Sequence, residues 1–383
     1  MNYPAQIRVL VLGAGRHGVR IAQLLATTPR FAPYLADFDG DVLAAAGHLG
    51  LPSTIPTLEI TRENLPRLIG EVRAVIVTHA TFAPLDVALA ALAAGCVYLD
   101  ILESPRWVAQ LQDLAQGGGA AIAPGCGLAP GYVTALAAEA LDRCGPDAEV
   151  TVFVGVLPKE RLNCLGYANI WGIDGLIDEY TQPCAAIRDG ACAVLAPLQD
   201  EERLEISGHP YEAFTTAGSL DGLTSRYAGH VRGLVFKTLR YPGHLDYVRF
   251  LLDDMGLSQR VYQFRSLLMT SLPKTALDRV LIALRVVPEP GAPPQWQTRM
   301  LCARTSAAGQ VQSASVTATA AHVCAVLDVL TAPEARVSGW VPPGTLLPND
   351  LRGSGFFDLL TEQDHDVCGG QDDQAKGVAS FNA

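Results

Sequence analysis

The chain has 383 residues, 49% of them hydrophobic and 17% charged, with a formal net charge of −11. This composition excludes wholesale disorder, and an acidic chain without a long basic cluster is a poor partner for nucleic acid or an anionic membrane. Single cores rarely grow beyond about 250–300 residues, so two domains are expected.

No apolar run reaches the roughly 18 residues of a membrane span, so no crossing helix is predicted. The opening M-N-Y-P-A-Q leads straight into the first strand, which predicts no signal peptide and a cytoplasmic location. The nine cysteines are scattered and odd in number, with no C-x-x-C pair. They read as reduced packing residues, with neither a disulfide frame nor a metal site expected.

In chain order, I-R-V-L-V-L (Ile7 to Leu12) runs into Gly13-Ala14-Gly15-Arg16-His17-Gly18, followed by an amphipathic helix pattern at Val19, Ile21, Ala22, Leu24 and Leu25. A short apolar run closed by glycines reads as a buried parallel strand. The three glycines suit a tight turn, close approach to a pyrophosphate, and helix–strand packing. The new helix offers its N–H groups and positive dipole end to the phosphates. Asp37 lies 19 residues beyond Gly18, at the end of a second apolar stretch (Phe31 to Ala36). In that context the glycine pattern predicts a bound dinucleotide, with Gly13, Gly15, Arg16, His17 and Gly18 at the phosphates. Asp37 would accept from the adenosine ribose hydroxyls. Phe38, Asp39, Gly40 and Asp41 follow it with no Arg or Lys, which favours NAD over NADP.

The rhythm then continues: a short helix over 41–47, a helix over 62–70, a strand at 72–78, a helix at 84–94 and a strand at 97–100. A helix capped by Ser104 and a strand at 120–123 complete it. Alternating strands and helices describe a doubly wound parallel sheet, whose ligands sit beyond the carboxyl ends of the strands. Those ends carry Thr78 and His79, Asp100, and Pro124 to Gly131. The last segment, P-G-C-G-L-A-P-G, opens a helix over 132–141. It is a second ligand-edge helix start, with Cys126, Gly127 and Pro130 at the nicotinamide or substrate, or else simply an interdomain hinge.

After Asp147 the texture changes. Val150, Val152, Val154 and Val156 alternate within 149–157, and further strands are expected at 234–241, 279–287, 298–304 and 310–319. Strands without long intervening helices predict an open, mostly antiparallel sheet. The helical period returns at 319–330 (Ala320, Val323, Cys324, Leu327), and the polar, Gly-rich residues from about 363 to 383 read as a frayed tail. The fold class is therefore α/β: an N-terminal Rossmann sheet plus a second α+β domain.

G-L-A-P-G at 127–131 resembles the G-x-x-P-G segment of the saccharopine dehydrogenase family. So do G-Y-A-N-I-W-G-I-D-G-L-I-D-E-Y (166–180), Y-E-A-F-T-T-A-G (211–218), K-T-L-R-Y-P-G-H (237–244) and V-P-P at 341–343. The Gly-His ending is similar to the short, lysine 6-dehydrogenase form. The resemblance implies a Rossmann domain at 1–130 completed by 319–362, and a substrate and dimerisation domain at 131–318, with a homodimer or dimer of dimers. It departs at Gly125, where members of the family often carry a carboxylate, and at Gly172, in place of a capping Ser.

Along the strand, Lys237 and Arg240 fall on opposite faces. Arg240 could pair bidentately with an amino-acid carboxylate, or form an internal ion pair. His244 follows the Pro242-Gly243 turn and could take the proton as an amine is oxidised, or be a hydrogen-bonded structural histidine. Asp100 is a second base candidate, or a turn cap. Tyr241 reads more as packing, while Glu212 and Thr216 match the family's E-A-F-x-T and would line the pocket. His79 is a loop histidine or a neighbour of the nicotinamide ribose; His17 reads as exposed. The expected activity is NAD-dependent oxidation at the C–N bond of an amino acid, with the ε-amino group of lysine as leading case. The alternatives are NAD(P)H-dependent reduction of a Schiff base or cyclic imine, and a dinucleotide-sensing protein without chemistry.

Overall fold

The computed structural model describes residues 6–102, 104–218, 220–306, 309–333, 337–361 and 379–381. It forms two compact units, Met1–Ala138 with Val316–Thr361, and Glu139–Ser315 with Glu362–Ala383.

The first unit is built on six parallel strands: β1 (Ile7–Leu12), β2 (Phe31–Asp37), β3 (Thr57–Glu59), β4 (Ala74–Val77), β5 (Val97–Asp100) and β6 (Ile122–Ala123). Their order is β3-β2-β1-β4-β5-β6, the doubly wound arrangement that the alternating pattern predicts. Val9 to Leu12 of β1 and all of β4 are buried, as strands covered on both faces should be. Leu10, Leu12, Val75, Val77, Val87, Ala91 and Tyr98 share one core with Leu111 of the helix Pro105–Ala115. The expected strand at 72–78 is shorter than its apolar run, and β3 was not foreseen. With exposure alternating over three residues, that edge strand has no apolar signature to read.

In the second unit, β7 (Glu149–Pro158), β8 (Cys184–Arg188), β9 (Ala191–Leu195), β10 (Glu202–Ile206), β11 (His209–Thr215), β12 (Gly233–Arg240), β13 (Asp278–Val287), β14 (Gln295–Cys302) and β15 (Ala379–Phe381) form one sheet. Its path is β14-β13-β7-β12-β11-β10-β15, with β8 on β12 and β9 on β8. Every pairing is antiparallel except β7 with β12. One face packs Phe214 against Ile173, Leu176 and Ile177 of the helix Ile173–Thr181, and against Leu245 and Val248 of the helix His244–Arg249. The opposite face gathers Phe153, Leu157, Leu239, Leu281 and Ala283.

Three expectations need correction here. The strand foreseen at 310–319 is helical from Ala314: the helix runs Ala314–Leu330 and leaves only Val311–Gln312 extended. Its start is fixed from afar, because the Asp278 carboxylate accepts the N–H of Ala314 at 2.6 Å and of Ser315 at 3.0 Å. A carboxylate at a helix N-terminus satisfies otherwise unpaired N–H groups, so capping overrides the alternating pattern. Of the foreseen tail, residues 362–378 lie outside the described residues, whereas 379–381 pair with β10. Finally, Cys302 is disulfide-bonded, with its partner outside the described residues, while seven other cysteines are free thiols. No helix among the described residues is long and apolar enough to cross a membrane.

Candidate active site

The glycine turn divides its labour between space and backbone. A Cβ on Gly18 would lie 1.7 Å from the Gly13 carbonyl oxygen, and one on Gly13 2.1 Å from Thr78 Oγ1, at a φ of +112°. Gly15 is different: a Cβ there would meet nothing within 4 Å. Thus Gly13 makes the turn, Gly18 lets helix and strand close up, and Gly15 borders open space. Gly15 is also the N-cap of the helix Arg16–Leu25, with no side chain capping it. An uncapped helix start beside open space is a seat for an anion. Arg16 is exposed and His17 half-buried on its first turn. Thr78 supports the turn, its hydroxyl donating to the Leu12 carbonyl at 2.8 Å.

Asp37 closes β2 beside this turn. Its Oδ2 accepts the Ala14 N–H at 2.8 Å and its Oδ1 the Asp39 N–H at 3.2 Å. Next to it a cavity is lined by Phe38, Arg62, Leu65, Ile69, Phe82 and Val87 among others. The rings of Phe38 and Phe82 stack with centroids 5.1 Å apart. This cavity, whose apolar wall is joined by Arg62, Thr81 and Asp86, was not foreseen, although Phe38 directly follows Asp37. His79 is exposed at the end of β4, where Nδ1 accepts the Thr81 N–H at 3.3 Å and caps the next turn.

Asp100 ends β5 with its carboxylate fully engaged. Oδ1 accepts the N–H of Gly125 at 2.8 Å and of Leu102 at 3.0 Å, and Oδ2 accepts the Tyr98 hydroxyl at 2.8 Å. Burial raises its pKa to about 6, with those three bonds pulling the other way. The turn-cap alternative therefore describes Asp100, which is 1% exposed. Cys126 also turns inward: its thiol donates to the Ala123 carbonyl at 3.2 Å, and burial pushes its pKa far up. Gly127 and Pro130 shape the same loop, with Ala129-Pro130 cis. His322, on the helix Ala314–Leu330, donates from Nδ1 to the Cys126 carbonyl at 2.8 Å.

In the second unit the singled-out side chains meet one another. Arg240, 1% exposed, ion-pairs through Nη2 with Glu179 at 2.9 Å. Its Nε donates to the Tyr180 hydroxyl at 2.9 Å and its Nη1 to the Leu239 carbonyl at 3.0 Å. The guanidinium also sits over the rings of Tyr167 and Tyr180. The Tyr180 hydroxyl lies 2.7 Å from His244 Nε2, and His244 Nδ1 lies 2.8 Å from the Leu165 carbonyl. Since a carbonyl only accepts, Nδ1 carries the proton and Nε2 accepts from Tyr180. Burial, then the Arg240 charge, lower the His244 pKa to about 3.

Two expectations are corrected by this network. Arg240 offers no free fork to a substrate carboxylate, and His244 is a neutral, doubly bonded imidazole rather than a base for neutral pH. Glu212 is corrected too: its carboxylate accepts the N–H of Gly243 at 2.7 Å and Leu245 at 2.6 Å, holding the Pro242-Gly243 turn. Tyr241 packs, donating to the Pro158 carbonyl at 2.9 Å and stacking on Tyr211. Lys237 points to the other face, to Glu202 at 2.7 Å. Thr216 is buried, its hydroxyl without a partner among the described residues. Glu179, Tyr180 and Tyr167 went unselected although all three lie in the motif at 166–180. Burial raises the Glu179 carboxyl to about 7 even beside Arg240.

The sequence model of the saccharopine dehydrogenase C-terminal domain matches residues 127–344, more than half of the chain. The chain belongs to the saccharopine dehydrogenase family. An apo saccharopine dehydrogenase (L-Glu forming) from Saccharomyces cerevisiae has the same fold: 15% identity, TM-score 0.70, covering 98% of this chain and 99% of that one. More distant are an engineered D-amino acid dehydrogenase bound to NADP+ (11% identity, TM-score 0.48, 94% and 99% covered) and GenD2 from gentamicin A biosynthesis in complex with NAD (14%, 0.43, 100% and 98%). Against the family pattern, the departure at Gly125 has a steric basis. It stands at φ +60°, and a Cβ there would lie 3.0 Å from ring atoms of both Pro130 and Pro343. Gly172, the other departure, starts its helix with no side-chain cap.

Proposed function

We propose that this saccharopine dehydrogenase family member is an NAD-dependent oxidoreductase acting at the C–N bond of an amino acid, with oxidation of the ε-amino group of lysine or a related diamino acid as the leading case. One observation carries the reading: a glycine cradle with open space at Gly15 and a carboxylate at Asp37, in a chain whose residues 127–344 match the family domain. The cradle fits a dinucleotide. The N–H groups after Gly15 would hold the pyrophosphate, Asp37 the ribose hydroxyls, and the cavity beside the stacked Phe38 and Phe82 rings the adenine. Asp37 and the nearby Asp39, Asp41 and Glu59 disfavour a 2′-phosphate, which supports NAD over NADP. When bound, the nicotinamide supplies a hydride acceptor or donor at its C4.

The chain's own task is to hold the amine carbon in place, exclude water and keep the nitrogen neutral. An ε-ammonium of pKa about 10.4 must lose a proton first. The group suited to take it is Glu179. Its carboxyl is raised to about 7, near the working pH of a general base, and its side chain is 17% exposed against 2% for Arg240. Arg240 fixes its position, and Tyr180 and His244 fix Arg240 in turn. The unpartnered Thr216 hydroxyl stands next to Ala217, whose N–H donates to the Glu179 carbonyl at 3.0 Å. At 0% exposure that hydroxyl is closed to solvent, so Thr216 supports the Glu179 segment by packing rather than lining an open pocket. Run in reverse, the same carboxyl would protonate a reduced imine, so the reductive alternative uses the same residues.

The test incubates the protein with NAD+ and a panel of diamino acids, then with NADH and keto acids plus amines, following NADH absorbance. Glu179→Gln should lower turnover about a hundredfold or more while leaving NADH binding intact. Turnover unchanged in that variant would remove Glu179 from the mechanism, and absence of turnover throughout the panel would remove the C–N assignment.

A further inference from the structure

The Asp100 cluster contains more than a turn cap. Its carboxylate receives three neutral donors from three places: Tyr98 on β5 itself, Leu102 in the turn after β5, and Gly125 after β6. The Asp100 carbonyl also accepts the Cys126 N–H at 2.7 Å. One residue thus ties the end of β5 to the loop that begins the helix Tyr132–Leu141, at the sheet edge where ligands of this topology sit. We propose that Asp100 is a positioning residue whose ionised carboxylate pins the loop from Gly125 to Gly131 for the nicotinamide end of the cofactor. The proposal rests on the dinucleotide reading of the first unit.

Energetics separates this from ordinary capping. A carboxyl raised to about 6 by burial is held ionised at pH 7 against the preference of the fold. Its stabilising contribution is full below its unfolded pKa and is lost as pH rises through about 6. An amide of the same shape would keep the two backbone bonds without that cost, so fold stability alone does not call for a carboxylate here. What ionisation adds is bond strength, because donors bind a carboxylate about twice as strongly as a neutral acceptor. The titratable groups around it stay neutral between pH 5 and 8. Burial keeps Tyr98 and Cys126 protonated, and lowers His322 to about 4.

The experiment compares wild type, Asp100→Asn and Asp100→Ala. It uses NADH fluorescence titration from pH 5 to 8 and hydrogen exchange of the peptide spanning 124–131. Wild-type affinity should tighten by up to about tenfold as pH rises through about 6. Asp100→Asn, which cannot ionise, should bind at pH 7.5 as weakly as wild type does at pH 5, up to about tenfold below ionised wild type, with a flat pH profile, and should unfold no more readily. Wild-type affinity that stays flat across pH of about 6 would overturn the role of ionisation. Asp100→Ala should bind about tenfold more weakly throughout, with faster exchange across 124–131. Unchanged exchange in Asp100→Ala would overturn the pinning, whatever the cofactor does. Faster exchange with unchanged NADH affinity would overturn its link to the cofactor. If wild type binds neither NADH nor NADPH, the dinucleotide reading falls and takes that link with it, and the exchange data still decide the pinning.

Discussion

The glycine turn of the first unit and the Arg240 network of the second use sequence motifs in opposite ways. At the turn, the groups that would meet a ligand are backbone N–H groups, and the motif residues matter for the side chains they lack. In the network, the motif residues matter for large polar side chains, and those are satisfied by each other. Arg240, Tyr180, His244 and the Leu165 carbonyl form one hydrogen-bonded chain, closed on the far side by Glu179. A motif as specific as T-L-R-Y-P-G-H can therefore be specific because burial demands it. Buried charge without partners is costly, and the sequence must supply every partner at once.

Removing one member of the network should show this most sharply. Arg240→Met leaves Glu179 and the Tyr180 hydroxyl without their cation, and unfolding experiments in urea should show a loss of about 3–5 kcal/mol. A loss below about 1 kcal/mol would mean that the network is not what holds that face of the sheet. Next comes pH. His244 is depressed to about 3, so between there and its ordinary value of about 6.5 the unfolded chain binds the extra proton. Its contribution is present above pH 6.5 and is lost as pH falls toward 3, a matter of a few kcal/mol. Stability curves from pH 7 to 4 should flatten in His244→Asn; equal slopes in both proteins would show that His244 is not buried neutral.

On the other side of the comparison, Gly15→Ala is the clean probe of the turn. Its Cβ meets no protein atom, and its φ of −75° suits any residue, so the melting temperature should hold. Bulk at the phosphate approach should weaken NADH about tenfold. An unchanged affinity would move the phosphates elsewhere.

The legibility of the sequence follows the same division. The β1 turn, Asp37 and the alternation up to Ala123 were readable because parallel strands are short apolar runs and a glycine turn has fixed spacing. The helix Tyr132–Leu141 was readable from Pro130 and its apolar period. Two hairpins were missed although their turns carried a signal. Asp189-Gly190 and Ser207-Gly208 all adopt positive φ, as two-residue hairpin turns require. One flanking strand, A-C-A-V-L, is apolar but does not alternate, and another, E-R-L-E-I, is mostly charged, so the half-buried strand pattern around those turns was weak. The helix start at Ala314 could not be read locally, since its cap, Asp278, lies 36 residues earlier. Nor could the state of Arg240 and His244. Spacing places a side chain on a face, but only the fold shows that Glu179 and Tyr180 reach the same point.

The smallest expected effect concerns cofactor choice, and it tests whether the acid at the end of β2 discriminates or merely braces the turn. Asp37 does two things at once: Oδ2 holds the Ala14 N–H at 2.8 Å, and the carboxylate contributes negative charge beside Asp39 and Asp41. Asp37→Ser removes the charge and shortens the side chain. If the carboxylate serves the ribose hydroxyls, NADH affinity should fall by about tenfold or less, the worth of one or two hydrogen bonds to a charged group. NADPH affinity should rise as repulsion of its 2′-phosphate falls, so the ratio of the two dissociation constants moves in one direction. If Asp37 only braces the turn, both cofactors should weaken together and the ratio should stay fixed. Asp37→Asn separates the two further, because its amide oxygen can still accept from Ala14 while its charge is gone. A shifted ratio in Asp37→Asn with an unchanged melting temperature would assign the discrimination to charge.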